Sequence, residues 1–200
     1  MSLLIRTRTR LRIPGLVTRV FRSHAGLFFP ETSTIINRHD NCLALLRRLT
    51  GPEAGLAWLI PGHNIVTDAG DLFLAQLSAG EATTNAFTTW EQGTAGTPAK
   101  GADRSAFTPI AASQLAEDGT YPQTNDGDAD NTGAGTDVRT SRASYSAASF
   151  NDAAISHAWI TNPSPGASEP LFTGFAWAAP FAKGATDTLK VFHNATMNGV

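Results

Sequence analysis

The chain has a single cysteine, Cys42, in 200 residues. That excludes an internal disulfide framework and any zinc site built on several cysteines. Charge is also scarce: 16% of residues are charged, against about 25% in an ordinary soluble domain. No apolar run approaches the roughly 18 residues that cross a bilayer as a helix, so no membrane partner is expected. No G-x-S-x-G elbow occurs, and Gly93-Thr-Ala-Gly96 lacks the Lys-Ser/Thr of a phosphate-binding loop. The acids between residues 117 and 137 crowd a Gly- and Thr-rich stretch with nothing to position them as an acid–base pair. A non-enzymatic role without a cofactor is the expectation.

What is abundant is small or turn-forming: 31 Ala, 24 Thr, 18 Gly and 11 Pro. Such a composition favours short strands joined by turns. The chain is long enough to bury a core without staples.

Its net charge of −2 conceals an asymmetry. Residues 1–50 carry nine Arg against Glu31 and Asp40, a balance of +7, whereas residues 51–200 hold six basic and fifteen acidic residues, a balance of −9. This predicts a basic arm on an acidic body, with a boundary near residue 55 after Gly51, Pro52 and Gly55. Arg6, Arg8, Arg10 and Arg12 alternate with Thr7, Thr9 and Leu11. On an extended chain all four guanidiniums share one side, with Arg19 and Arg22 further along; on a helix they would scatter. The period therefore argues against a transit peptide, and no apolar secretory segment follows. The arm is expected to contact an acidic protein surface. Nucleic acid is the weaker partner, because no aromatic residues interleave with these arginines.

Within the arm, Asp40–Leu49 reads as a short helix: Asp40 or Asn41 caps it, Leu43, Leu46 and Leu49 recur at helical spacing, and Arg47 and Arg48 close it. In the body, residues 56–200, Leu56–Ile60 is a strand candidate ending at Pro61-Gly62, and His63–Thr67 is a second extended piece. Thr67 or Asp68 then caps a helix near 68–79 that stops at Gly80. Residues 83–142 are poor in large aliphatics, with Trp90, Phe107 and Ile110 as isolated anchors. Ala143–Phe150, Ile155–Thr161, Leu171–Phe181 and Thr188–Met197 are four strand candidates. In the third, Leu171, Thr173, Phe175, Trp177, Ala179 and Phe181 share one face. The pattern predicts a mainly β body, an antiparallel β-sandwich of jelly-roll type with one short helix. Burial of the Thr-rich middle section between copies predicts a homo-oligomer, most simply a trimer.

One metal motif is present. Asp126, Asp128, Asp130 and Asp137 match positions 1, 3, 5 and 12 of a calcium loop, but Asn131 replaces the glycine of position 6 and the last acid is the shorter Asp. A solvated acidic loop is the simpler reading. His63, His157 and His193 do not cluster and read as ordinary strand histidines, and Cys42 as a small buried hydrophobe.

The phrase Asn64-Ile65-Val66-Thr67-Asp68-Ala69-Gly70, a strand end running into a short helix, resembles the start of small virion structural proteins of tailed bacteriophages. The stretch Trp90-Glu91-Gln92-Gly93-Thr94 and the terminal strand pair Phe175–Phe181 and Asp187–Phe192, followed by Asn198-Gly199, are similar as well. The resemblance covers about residues 56–200. It implies a capsid decoration (cement) protein that binds the major capsid protein in the virion after assembly in the host cytoplasm. A tail, collar or fibre-attachment component is the alternative, and a nucleic-acid-contacting virion protein a second one.

Overall fold

The computed structural model describes residues 42–52, 54–118 and 136–198. Nine strands and one helix follow in chain order: β1 (Cys42–Arg48), β2 (Ala57–Val66), α1 (Asp68–Ala79), β3 (Thr89–Gly96), β4 (Phe107–Pro109), β5 (Leu115–Ala116), β6 (Thr136–Tyr145), β7 (Asp152–Thr161), β8 (Leu171–Lys183) and β9 (Asp187–Asn198). All pairings are antiparallel and form one sheet in the order β4-β3-β7-β8-β2-β1-β9-β6, with β5 also on β3. The mainly β, antiparallel body with one helix is thus what the sequence predicts.

The sheet curls into a half-barrel that brings β3 and the end of β5 against β6. Trp90 on β3 donates its indole N–H to Ser141 Oγ on β6 at 2.7 Å. Just after β5, the Asp118 amide donates to the Arg142 carbonyl at 2.8 Å. The enclosed core stacks Trp90 on Phe175 at 5.2 Å, with Trp177 next along at 6.3 Å. At one end Phe73 of α1 packs edge-on against Phe87 and Phe172.

The helix is where the sequence places it, for the expected reasons. Thr67 Oγ1 accepts the Gly70 amide at 3.1 Å, Asp68 and Asp71 occupy the first turn, and Gly80 ends the helix in the left-handed region at φ 69°. The Thr67 hydroxyl also donates to the Leu171 carbonyl, tying the helix start to β8.

Four local expectations are corrected. Asp40–Leu49 is not a helix: its residues 42–48 form β1, which lies between β2 and β9 and so belongs to the body sheet. Cys42, Ala44 and Leu46 point into the core while Leu45 is buried on the other face. A strand buried on both sides reads as a continuous apolar run, and such a run does not distinguish strand from helix. Pro61-Gly62 does not end a strand either. There β2 passes from pairing with β1 to pairing with β8, whose ladder begins only at Gly62, and a Cβ at Gly62 would meet the Trp177 ring at 2.9 Å.

The first of the four late strands is displaced: β6 covers Thr136–Tyr145, and Phe150 falls in the turn after it. Within β8 the register shifts opposite Ile160/Thr161. Such a shift moves a side chain to the other face. Phe172 consequently joins the main core, while Leu171 packs with Phe107 and Trp159 on the outer side.

Close packing sets a test. A Cβ on Gly70 would lie 2.1 Å from the Phe172 carbonyl oxygen. Alanine gains about 1 kcal/mol of helix propensity, but the clash is with backbone and must displace α1 from β8. Gly70→Ala is therefore expected to destabilise the fold by about 2 kcal/mol net, in the range of overpacked cores, as read by chemical denaturation; a stability gain would show that α1 moves freely.

Candidate functional site

The most elaborate polar arrangement among the described residues is built on β3. Strand alternation puts Trp90 and Gln92 inward, so Glu91 faces outward beside its cross-strand partner Trp159 of β7. There it is 1% exposed, because the segment from Ala102 to Phe107 folds over it and packs Phe107 on Trp159. Arg104, in a short 3-10 turn capped by Asp103, grips the carboxylate with two hydrogen bonds of 2.7 and 2.8 Å. Gln114 donates to Oε1 at 2.9 Å and the Trp159 indole N–H to Oε2 at 2.7 Å. Arg104 also reaches the Gly166 carbonyl.

Burial pushes the Glu91 carboxyl up, but the donors from Arg104, Gln114 and Trp159 outweigh it and hold the group below the ordinary carboxylate range. Four donors occupy both oxygens. The carboxylate is committed to architecture, with no lone pair directed at solvent.

A second polar set lines the interior. Ser141 accepts from Trp90 and donates to Glu117. Asn64 meets Thr173 Oγ1 and His193 Nε2, each at 3.2 Å. Cys42 stands opposite His193 in the β1–β9 ladder, yet it is fully buried, and that burial raises its thiol well above the usual range. Such a thiol is not the thiolate a nucleophile requires.

Elsewhere the sequence candidates separate. His63 is exposed on β2, and His157 lies on β7 against Ser156 and Phe107. Asp137 belongs to β6, paired with Met197. Asp126, Asp128 and Asp130 lie outside the described residues, as do Arg6, Arg8, Arg10, Arg12, Arg19 and Arg22. No group of three His, Cys, Asp or Glu suited to a metal ion occurs among the described residues.

The phrase from Asn64 to Gly70 does come together as one corner. Asn64 bonds across to β8 and β9, Thr67 caps α1, and Gly70 lets the helix touch the β8 backbone. Comparison with protein-family profiles, curated proteins and solved structures returns no match to this chain.

Sequence reasoning missed the Glu91–Arg104–Gln114–Trp159 cluster. Four residues spread over 68 positions show no spacing to read, and the only hint was an acid set between Trp90 and Gln92. The cluster sets a test. Glu91→Gln removes the buried carboxylate that Arg104 grips and should cost about 3 kcal/mol, as for other broken buried pairs. Because the folded-state pKa of Glu91 is lowered, its contribution is fully present above the ordinary glutamate pKa and is lost as pH falls through the folded value. Denaturation midpoints measured from neutral to acid pH should fall less steeply in Glu91→Gln than in the parent; parallel curves would refute this account.

Proposed function

We propose that the chain is a non-enzymatic structural protein of a tailed-bacteriophage virion, of the capsid decoration type. In this reading the body and the arginine-rich arm bind the major capsid protein and stabilise the shell. The observation that carries it is the resemblance centred on Asn64–Gly70. Its support is that every residue of that phrase with a described polar side-chain contact, Asn64 and Thr67, uses it to join β2, α1, β8 and β9. These residues do the work of a scaffold. The two halves of the curled sheet would then act as the facing layers of a jelly-roll-like body, several copies joining as a homo-oligomer.

The arm supplies attachment. A single exposed ion pair is worth about 0–1 kcal/mol, so retention depends on several arginines meeting one acidic surface, with a tether that keeps them at high local concentration. Quantifying the protein in purified particles tests the reading. Copy numbers comparable to those of the major capsid protein support it, and the few copies of a single ring would assign the chain to tail or collar.

Deleting residues 1–20 is expected to leave the body folded and to weaken retention on particles, most clearly as salt is raised. Lysine at Arg6, Arg8, Arg10 and Arg12 keeps the charge but loses the bidentate fork, giving an intermediate loss. Equal retention of the truncated and full-length protein at both low and high salt would show that the arm is no anchor.

A further inference from the structure

His63 and His157 lie on different strands, yet the sheet register sets them in one row. Both are Cα partners of Ala176 on β8, which runs between β2 and β7. All three residues face outward. On either side of His63, Asn64 bonds His193 in the interior and a Cβ at Gly62 would meet the inward Trp177 ring. Phe175 and Trp177 flank Ala176 and belong to the core, as Ala158 does beside His157. His63 is exposed, and Ala176 and His157 are half-buried. Two strand spacings put the Cα atoms of the histidines about 10 Å apart. Two imidazoles and a cation with nitrogen bonds of about 2.1 Å fill that span, and the alanine between them leaves it clear.

A bulge in β7 prepares one of the two rings. The register shifts between Ile155 and His157. Ile155 and Ala158 both join the core, so the two residues between them, Ser156 and His157, share the outward side. There Ser156 Oγ donates to the Thr94 carbonyl at 2.7 Å and lies 2.7 Å from His157 Nδ1. The hydroxyl has one proton and gives it to Thr94. In the neutral imidazole Nδ1 is then the donor, and Nε2 keeps the lone pair. Phe107 packs edge-on against the same ring at 6.1 Å. Metal-binding histidines are oriented in this way, the second nitrogen being committed to a neighbouring acceptor.

We propose that His63 and His157 form a binding site for a late first-row transition-metal dication such as zinc or copper. His157 Nε2 and one ring nitrogen of His63 are the ligands, Ser156 is the positioning residue, and water completes the coordination. Imidazole suits these borderline cations, whereas magnesium and calcium call for oxygen ligands. Among the described residues no third His, Cys, Asp or Glu joins the pair. The site and the virion reading stand independently, and the failure of one leaves the other untouched.

Zinc titration of the full, 15N-labelled chain, followed through its imidazole nitrogens, tests the site. Before metal is added, His157 should carry its proton on Nδ1. Zinc should then shift the His63 and His157 signals together, and magnesium should shift neither. The signals of His24, His39 and His193 report zinc bound elsewhere separately. His63→Gln should raise the zinc needed to shift His157 at least tenfold, and His157→Gln should do the same for His63. Ser156→Ala should weaken binding about tenfold, as loss of an orienting partner does. The proposal is overturned if zinc shifts neither imidazole, if either one titrates unchanged without the other, or if His157 carries its proton on Nε2. Should His157→Gln unfold the chain, His63→Gln, at an exposed position, decides.

Discussion

A carboxylate sealed under the segment from Ala102 to Phe107 organises the side of the sheet that β3 and β7 form. Glu91 cannot be left there without partners, because an unpaired buried charge costs several kcal/mol. Its four donors come from a 3-10 turn, the stretch before β5 and the neighbouring strand. Satisfying the charge therefore holds Arg104, Gln114 and Trp159 in one arrangement. Phe107 is then laid over Trp159 and against Gly96 and Gly174, where a Cβ would meet its ring at 2.2 and 2.6 Å. An ion pair of this kind adds little net stability over an apolar substitute, but it admits few alternative packings.

The same economy appears inside the curl. Ser141 and Glu117 take the Trp90 indole N–H into a short hydrogen-bonded chain where β3 and the end of β5 approach β6, and Gln92 reaches the Tyr145 hydroxyl beside it. Polar groups at such an approach fix which strands come together, because any other register would strand them in the core. The aromatic stack from Trp90 through Phe175 to Trp177 supplies the apolar mass, and the α1 corner closes one end.

Where the sequence was legible, the signal was local. Helix α1 carries its cap, its first-turn acids and its stop within fourteen residues, each acting on the backbone beside it. Strands β7, β8 and β9 show apolar runs between turn residues, and Thr173, Phe175, Trp177 and Phe181 do share the inner face. Strand β3 was hidden. Its TWEQGTAG reads as loop because its outward positions are Glu91 and Gly93, suited to this site only once Arg104 and Trp159 arrive. Strand β1 was misread because both of its faces are buried, which erases the alternation that marks a half-exposed strand.

From its residues alone this chain determined its β-rich, antiparallel class, the helix α1 and the charge split between residues 1–50 and 51–200. Those follow from composition, caps and periodicity, which act over a few residues. The placing of Cys42–Arg48 at the middle of the sheet, the shift that sends Leu171 outward and Phe172 inward, and the partners of Glu91 were decided by the tertiary structure. Each depends on what lies on the far side of a strand, and a side chain meets that neighbour only after residues far apart in the chain have been brought together.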